Sequence, residues 1–238
     1  MDSKVKTGAL IFSRLDSTRL PGKALLKING REMLGRVIDR AKKIPGMKGI
    51  VVATTDRAVD DPIAEFANKE NVGCYRGSLD DVALRAFNAC KSFGFSKFVR
   101  ICGDRPFFEP EVIVKLLALF SETTDVATTT FPRTYPPGLT GEVVSFAALA
   151  RVIEVSTSPE DREHVTRYFY RHAISFNIVS LPTPDGYNFE GVRLVVDDQK
   201  DFQRAQWIAK GVDKQGAYIG DMGLVLELAR ECDAQNKL

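Results

Sequence analysis

Several things are scarce in this chain of 238 residues. No uninterrupted apolar run approaches the roughly 20 residues that a membrane-spanning helix needs. The opening Met1-Asp2-Ser3-Lys4 lacks the basic, apolar and small-residue order of a signal peptide. The four cysteines, Cys74, Cys90, Cys102 and Cys232, show no CxxC or other metal-ligand spacing. Three sit in apolar settings that read as core, so reduced thiols in a cytoplasm account for them. The formal net charge is only +2, which argues against nucleic acid as the main partner, because such proteins carry a concentrated basic face. Internal repeats and low-complexity tracts are absent. What is present, 27% charged and 44% hydrophobic residues, is the profile of a soluble globular protein, long enough for one large α/β domain or two small ones.

Apolar patterning alternates along the first half. Residues 7–13, 49–54, 72–75, 97–102 and 125–130 read as short strands, the first an apolar run expected of a buried parallel strand and the second rich in β-branched residues. Between them, residues 32–43, 60–68, 79–93 and 109–120 carry helical periodicity, as with Met33, Leu34, Val37, Ile38 and Ala41 on one face. Strands alternating with helices predict an α/β fold with a mainly parallel sheet covered on both faces. The pattern changes at 131–139, which is too proline-rich for a regular element. Helical pieces at 146–155 and 159–171 follow, then a strand-like stretch at 174–181. Residues 192–196 look like a strand returning to the main sheet, before a helix at 200–210. We read 1–238 as a single domain with 131–190 an inserted subdomain.

Three segments offer chemistry at the carboxyl edge of such a sheet, where open α/β folds bind ligands. Ser13-Arg14-Leu15-Asp16-Ser17-Thr18-Arg19-Leu20-Pro21-Gly22-Lys23 gathers three cations, three hydroxyls and turn amides in one loop. It reads as a solvated basic loop or as a cradle for a polyphosphate. It is neither GxGxxG nor GxxxxGK[ST], so the dinucleotide and P-loop fingerprints are missing. In Arg100-Ile101-Cys102-Gly103-Asp104-Arg105-Pro106, Asp104 is a turn residue or a magnesium ligand, and Cys102 reads as core. In Val195-Val196-Asp197-Asp198, Asp198 is by default a helix N-cap and Asp197 the stronger second carboxylate. Together they suggest a cationic loop that neutralises a triphosphate, with Asp104 and Asp197 holding Mg2+ against it, so that an acceptor oxygen attacks phosphorus without any protein nucleophile.

At these residues the chain resembles the cytidylyltransferase superfamily that makes CMP-activated sugars. The closest likeness is to the spore coat polysaccharide biosynthesis protein F family, related to the acylneuraminate and 3-deoxy-manno-octulosonate cytidylyltransferases. The family's ARxxSTRLPGK opening corresponds to residues 13–23. Val51-Val52-Ala53-Thr54-Thr55, Tyr75-Arg76-Gly77-Ser78 and Asp81-Val82-Ala83-Leu84-Arg85 also match, as do Val99 through Pro106 (the family's VRITGDxP), Arg133 through Leu139, Arg162-Glu163-His164-Val165-Thr166, and Val196-Asp197 through Phe202. The resemblance covers about residues 7–210.

It implies a glycosyltransferase-A-like nucleotidyltransferase fold and CTP as donor. It implies metal ligation by Asp104 and Asp197, catalysis by these with Arg19 and Lys23, and nucleotide binding by Arg14, Ser17, Arg19, Lys23, Arg76, Ser78, Asp81 and Asp104. The subdomain resembles the part that pairs two subunits and borders an acceptor site, which implies a homodimer and an acceptor near Arg133, Tyr135, Arg162 and His164. His164 could also deprotonate an acceptor hydroxyl, or serve as a surface or packing histidine; His172 reads as structural. Asp60-Asp61 and Glu160-Asp161 read as helix-start acids.

Three departures stand out. Asp16 replaces a usual glycine in the phosphate loop, Arg105 follows the metal aspartate where cysteine or glutamate is common, and Leu194-Val195 replace a Trp-Thr pair. The expected activity is magnesium-dependent transfer of CMP from CTP to a sugar acid with release of pyrophosphate, in the cytoplasm. The alternatives are a nucleotidyltransferase acting on a sugar phosphate, and a non-catalytic nucleotide-binding or assembly subunit. A glycosyltransferase predicts an Asp-x-Asp motif, which the Asp104 position does not have.

Overall fold

The computed structural model describes residues 6–214 and 222–236. In chain order the elements are β1 (Thr7–Phe12), the hairpin β2 (Lys27–Ile28) and β3 (Arg31–Glu32), α1 (Met33–Ala41), β4 (Gly49–Thr55), α2 (Asp61–Lys69), β5 (Gly73–Gly77) and α3 (Val82–Phe93). There follow β6 (Lys97–Cys102), α4 (Pro110–Leu119), β7 (Val126–Thr128), β8 (Glu142–Ser145), α5 (Phe146–Val155), α6 (Pro159–Glu163), α7 (Arg167–Arg171), β9 (Ile178–Ser180), α8 (Gln199–Lys214) and α9 (Met222–Asn236).

Seven strands form one sheet in the order β5-β4-β1-β6-β8-β7-β9. Every neighbouring pair is parallel except those that β8 makes with β6 and β7. Successive strand residues face opposite layers, as the period of two requires. Ala9 and Ile11, Val52, Val99 and Ile101, and Val143 pack with α1, α2, α4, α8 and α9. Leu10, Val51, Phe98 and Val144 pack with α3, α5 and α7. Both faces are thus covered, as the alternating pattern predicts. Chain order reverses at β1, which lies between β4 and β6, and opens a crevice at the carboxyl ends of these three strands.

Element ends shift for identifiable reasons. Helix α3 begins at Val82 rather than 79, because the Asp81 carboxylate accepts from the Leu84 amide at 2.8 Å and caps it. The helical stretch read at 159–171 is two short helices, broken at the extended His164 with Val165 buried beneath. Strand β8, read as part of the excursion, is four residues long and pairs on both edges. Helix α9, beyond the segments read as helical, packs on α8 through Val225, Leu226 and Ala229. Cys90 and Cys232 are buried and Cys74 and Cys102 half-buried, and none of the four forms a disulfide.

The stretch 192–196 is a correction. It is extended, with Val192, Leu194 and Val196 buried, which is why it reads as a strand, yet it joins no sheet. β8 already occupies the edge of β6, and the segment bonds to loops instead. The Leu194 amide donates to the Pro137 carbonyl at 2.7 Å and the Val196 amide to the Asp104 carbonyl at 2.9 Å. Gly138 makes this approach possible: its φ is +101° and a Cβ there would sit 2.5 Å from the Leu194 carbonyl carbon. Gly138→Ala is therefore expected to cost about 1–3 kcal/mol of stability, read as a lower urea midpoint.

Candidate active site

The loop leaving β1 is curled on itself. The Leu15 carbonyl accepts from both the Ser17 and Gly22 amides at 2.9 Å, Gly22 takes a left-handed turn (φ 68°), and buried Leu20 anchors the far side. One buried carboxylate holds the loop to the sheet. Asp60, completely shielded from solvent, accepts from the Leu15 amide at 2.7 Å, from the Thr55 hydroxyl, and from Arg57 at 3.2 Å. Asp60 and Asp61 look alike in sequence, but only Asp61, half-buried, reaches solvent at the helix start, where it pairs with Arg76 at 2.6 Å.

The departures at Asp16 and Arg105 resolve into local pairs. Asp16 lies 2.7 Å from Arg57 and 3.5 Å from Arg14. The hydrogen bond from Arg57 outweighs partial burial and holds the Asp16 carboxyl below the usual carboxylate range. Arg105 turns toward buried Thr140, donating to its hydroxyl at 2.6 Å and its carbonyl at 3.3 Å.

The centre of the crevice is a shared cation. Lys23 Nζ lies 2.8 Å from the Val196 carbonyl, 3.3 Å from the Asp197 carboxylate and 3.4 Å from that of Asp104. Asp104 arrives from the end of β6 through Gly103, whose amide donates to the Phe12 carbonyl at 2.8 Å. Asp197 arrives on the 192–196 segment, and its amide donates to Asp201 at 2.8 Å. Asp198 is the cap it was read as, accepting from the Asp201 amide at 2.9 Å. Arg19 lies 3.2 Å from Asp197, and Arg193 also pairs with it. Burial acts to raise the Asp197 carboxyl, but Lys23, Arg193 and Arg19 outweigh it and hold it below its ordinary value.

Among the described residues no group of three or more histidine, cysteine, aspartate or glutamate side chains is arranged to hold a metal. Asp104 and Asp197 nonetheless aim two carboxylates at one cation, the Lys23 ammonium. Two carboxylates whose remaining partners are phosphate oxygens and water are what a magnesium ion accepts, so the pair fits one.

These groups line a cleft of about 1090 Å³, larger than most single-ligand pockets. Of the residues singled out in sequence, it brings together Arg14, Ser17, Arg19, Lys23, Ser78, Asp81, Asp104, Arg162, His164 and Asp197. Three are elsewhere. Arg76 braces the sheet edge, donating to the Thr55 and Arg57 carbonyls at 3.0 and 2.9 Å. Tyr135 is 2% exposed and packs on Phe189, ring centroids 5.3 Å apart. Arg133 stands exposed in the proline-rich stretch, away from the cleft. Arg162, within the cleft wall, donates to the Ser156 and Ile153 carbonyls at 3.0 and 2.8 Å and lies 3.2 Å from Asp81, strapping α6 to the start of α3. His164 is exposed, and its imidazole makes no hydrogen bond among the described residues. His172 is exposed too, its ring on Tyr168 with centroids 4.2 Å apart.

Sequence reasoning missed two cations of this cleft. Arg100 stands opposite Glu142 in the β6–β8 register and pairs with it, and the Tyr170 hydroxyl donates to the same carboxylate. Burial would raise Glu142, yet Arg100 and Tyr170 hold it well below the usual range. Arg85, on α3, is the other. A charged residue inside an apolar run was the available signal for both.

A family model for cytidylyltransferases matches residues 9–228. The chain belongs to the cytidylyltransferase family. Spore coat polysaccharide biosynthesis protein SpsF of Bacillus subtilis is 28% identical over 200 residues, 82% of each chain. The 3-deoxy-manno-octulosonate cytidylyltransferase of Koribacter versatilis is 30% identical over 77% of this chain and 71% of its own. The solved structure of a cytidylyltransferase from Leptospira borgpetersenii superposes with a TM-score of 0.86 at 26% identity, covering 98% of this chain and 96% of that one. The nucleotidyltransferase fold and a cytidylyltransferase activity follow for this chain.

Two expectations concern how this cytidylyltransferase cleft is held. Asp60→Ala leaves the Leu15 amide and Thr55 hydroxyl without their buried acceptor; it is expected to cost about 1–3 kcal/mol, measured by urea unfolding, and to weaken nucleotide binding in a parallel titration. The second concerns Asp197. Its folded value lies below the free one of 3.8, so its stabilising contribution is complete above that pH and is lost as pH falls through the folded value. Lys23→Met removes the leading attraction and leaves burial less opposed. The Asp197 titration should then move to higher pH, followed by carboxyl 13C NMR.

Proposed function

We propose that the chain transfers CMP from CTP to a hydroxyl of a sugar acid, releasing pyrophosphate, with magnesium as the metal. The convergence of Lys23, Asp104 and Asp197 on one point of the cleft carries this reading. The relatives named for spore coat polysaccharide synthesis and for 3-deoxy-manno-octulosonate transfer support a surface-glycan acceptor.

Asp104 and Asp197 would hold the ion. When bound, magnesium supplies a positive charge shared between carboxylate and phosphate oxygens. The chain's own groups do the rest. The amides and cations of the 13–23 loop bind the triphosphate and align its α-phosphorus. The acceptor oxygen forms a bond to that phosphorus as the bond to the β-phosphate oxygen breaks, and the electron pair leaves with pyrophosphate. Arg19 and Lys23 stabilise that departing charge, and position and charge stabilisation do most of the work. His164, on the wall formed by α6, takes the hydroxyl proton; an acceptor that is already a phosphate needs no such base. Asp16 and Arg105 engage Arg57 and Thr140 rather than the ion's ligands, so neither departure argues for a non-catalytic subunit.

The chain works as a homodimer in the cytoplasm on this reading. β9 leaves a free sheet edge with the fully exposed Ile174 just before it, a suitable surface for a second copy. Four cysteines outside any disulfide suit a reducing compartment. No described helix is long and apolar enough to cross a membrane.

Asp104→Ala and Asp197→Ala should each lower kcat by about 100-fold or more with the melting temperature little changed, scored as pyrophosphate release from CTP with a sugar-acid acceptor and magnesium. Full turnover by both variants would overturn the assignment.

A further inference from the structure

Asp197 presents its two oxygens to different neighbours. Oδ1 faces the cleft, where Lys23 lies 3.3 Å and Arg19 3.2 Å from it. Oδ2 accepts from Arg193. Lys23 and Arg19 line the cleft and Arg193 does not, so this third cation reaches the carboxylate from outside it.

Arg193 is itself fixed in place. Its Nη1 donates to the Val195 carbonyl and to the Asp201 carboxylate, each at 3.0 Å. Asp201 also accepts from the Asp197 amide at 2.8 Å, so the side chain and the backbone of Asp197 hang on one clamp. The Arg193 carbonyl accepts from Arg204 at 2.6 Å, and Asp233 holds Arg204 in turn at 2.6 and 2.7 Å. The Arg193 side chain is 44% exposed, and ion pairs of exposed groups contribute little to stability. What this clamp fixes is the direction of one carboxylate.

We infer that Arg193 is a positioning residue that sets the ion preference of the site. It keeps Oδ2 of Asp197 occupied, so that the carboxylate offers an ion one oxygen only. This deepens the proposed function and rests on Asp104 and Asp197 holding magnesium. Mg2+ demands near-ideal octahedral geometry, whereas Ca2+ accepts more ligands in looser arrangements and often takes both oxygens of one carboxylate. An aspartate restrained to one oxygen therefore suits the smaller ion. Released from Arg193, the same carboxylate can turn both oxygens inward and admit the larger one.

Displacement of Mn2+ from the protein–CTP complex by Mg2+ or by Ca2+, followed by EPR with no acceptor present, tests this. Wild type, Arg193→Met and Arg193→Lys are compared; the side chain is exposed, so its replacement leaves the core intact. Both competing ions carry the same charge and CTP is common to all three proteins, so the ratio of the two affinities isolates the change in ligation. Arg193→Met should shift that ratio toward Ca2+ by about 10-fold. Arg193→Lys keeps the charge and a donor for Oδ2, and should retain most of the wild-type preference. An unchanged ratio in Arg193→Met would overturn the inference, as would a loss in Arg193→Lys as large as in Arg193→Met. Wild-type and Asp197→Asn complexes that hold Mn2+ equally well overturn the underlying metal reading instead, and this assignment with it.

Discussion

The ammonium of Lys23 is the point on which the crevice depends. It ties the loop after β1 to the exit of β6 and to the segment before α8, three stretches far apart in the chain. Two carboxylates facing one another at this depth would repel and raise each other's pKa. Lys23 between them, with Arg19 and Arg193 on the Asp197 side, offsets that repulsion and holds the Asp197 carboxyl below its ordinary value.

That arrangement requires a rigid frame, which the sheet provides. Parallel β1 and β6 deliver the loop and Asp104 to adjacent positions on one edge. The third arm is less regular. Residues 192–196 hang on two backbone hydrogen bonds to the turns at Pro137 and Asp104, and their apolar side chains fill the core under α4 and α8. Burial rather than a strand ladder fixes where Asp197 emerges. On the opposite side, Asp60 gives the loop a buried anchor, and Arg57 draws the Asp16 charge aside. The phosphate-facing surface is thereby left with a cationic excess.

The far wall follows a different logic. Arg162 and Asp81 spend their charge on one another and on helix ends, making a strap that closes the cleft over the start of α3. Arg100 is neutralised by Glu142, which also accepts from the Tyr170 hydroxyl. Arg85, deep in that wall, and His164, at its rim, are two groups there that keep hydrogen-bonding capacity.

Local physics was legible in the sequence. Alternating strand and helix periodicity marked the parallel sheet and its two covered faces, and the position of loops after apolar strands marked residues 13–23, Asp104 and Asp197 as one edge. Charge type within those loops was readable too, since it needs no neighbour to define it. Orientation was not. Tyr135 and Arg76 sit in matching motifs yet point into packing and into carbonyls, Asp60 and Asp61 look identical until one is buried, and 192–196 has a strand's pattern without a strand's partner. The buried pairing of Arg100 and the solitude of Arg85 depend on which residues other segments place beside them. The sequence determined which elements form and which edge carries the chemistry, because hydrophobic period and residue type act locally. Only the tertiary structure decided which charges are compensated and which remain free for a ligand, because compensation is a property of pairs brought together by folding.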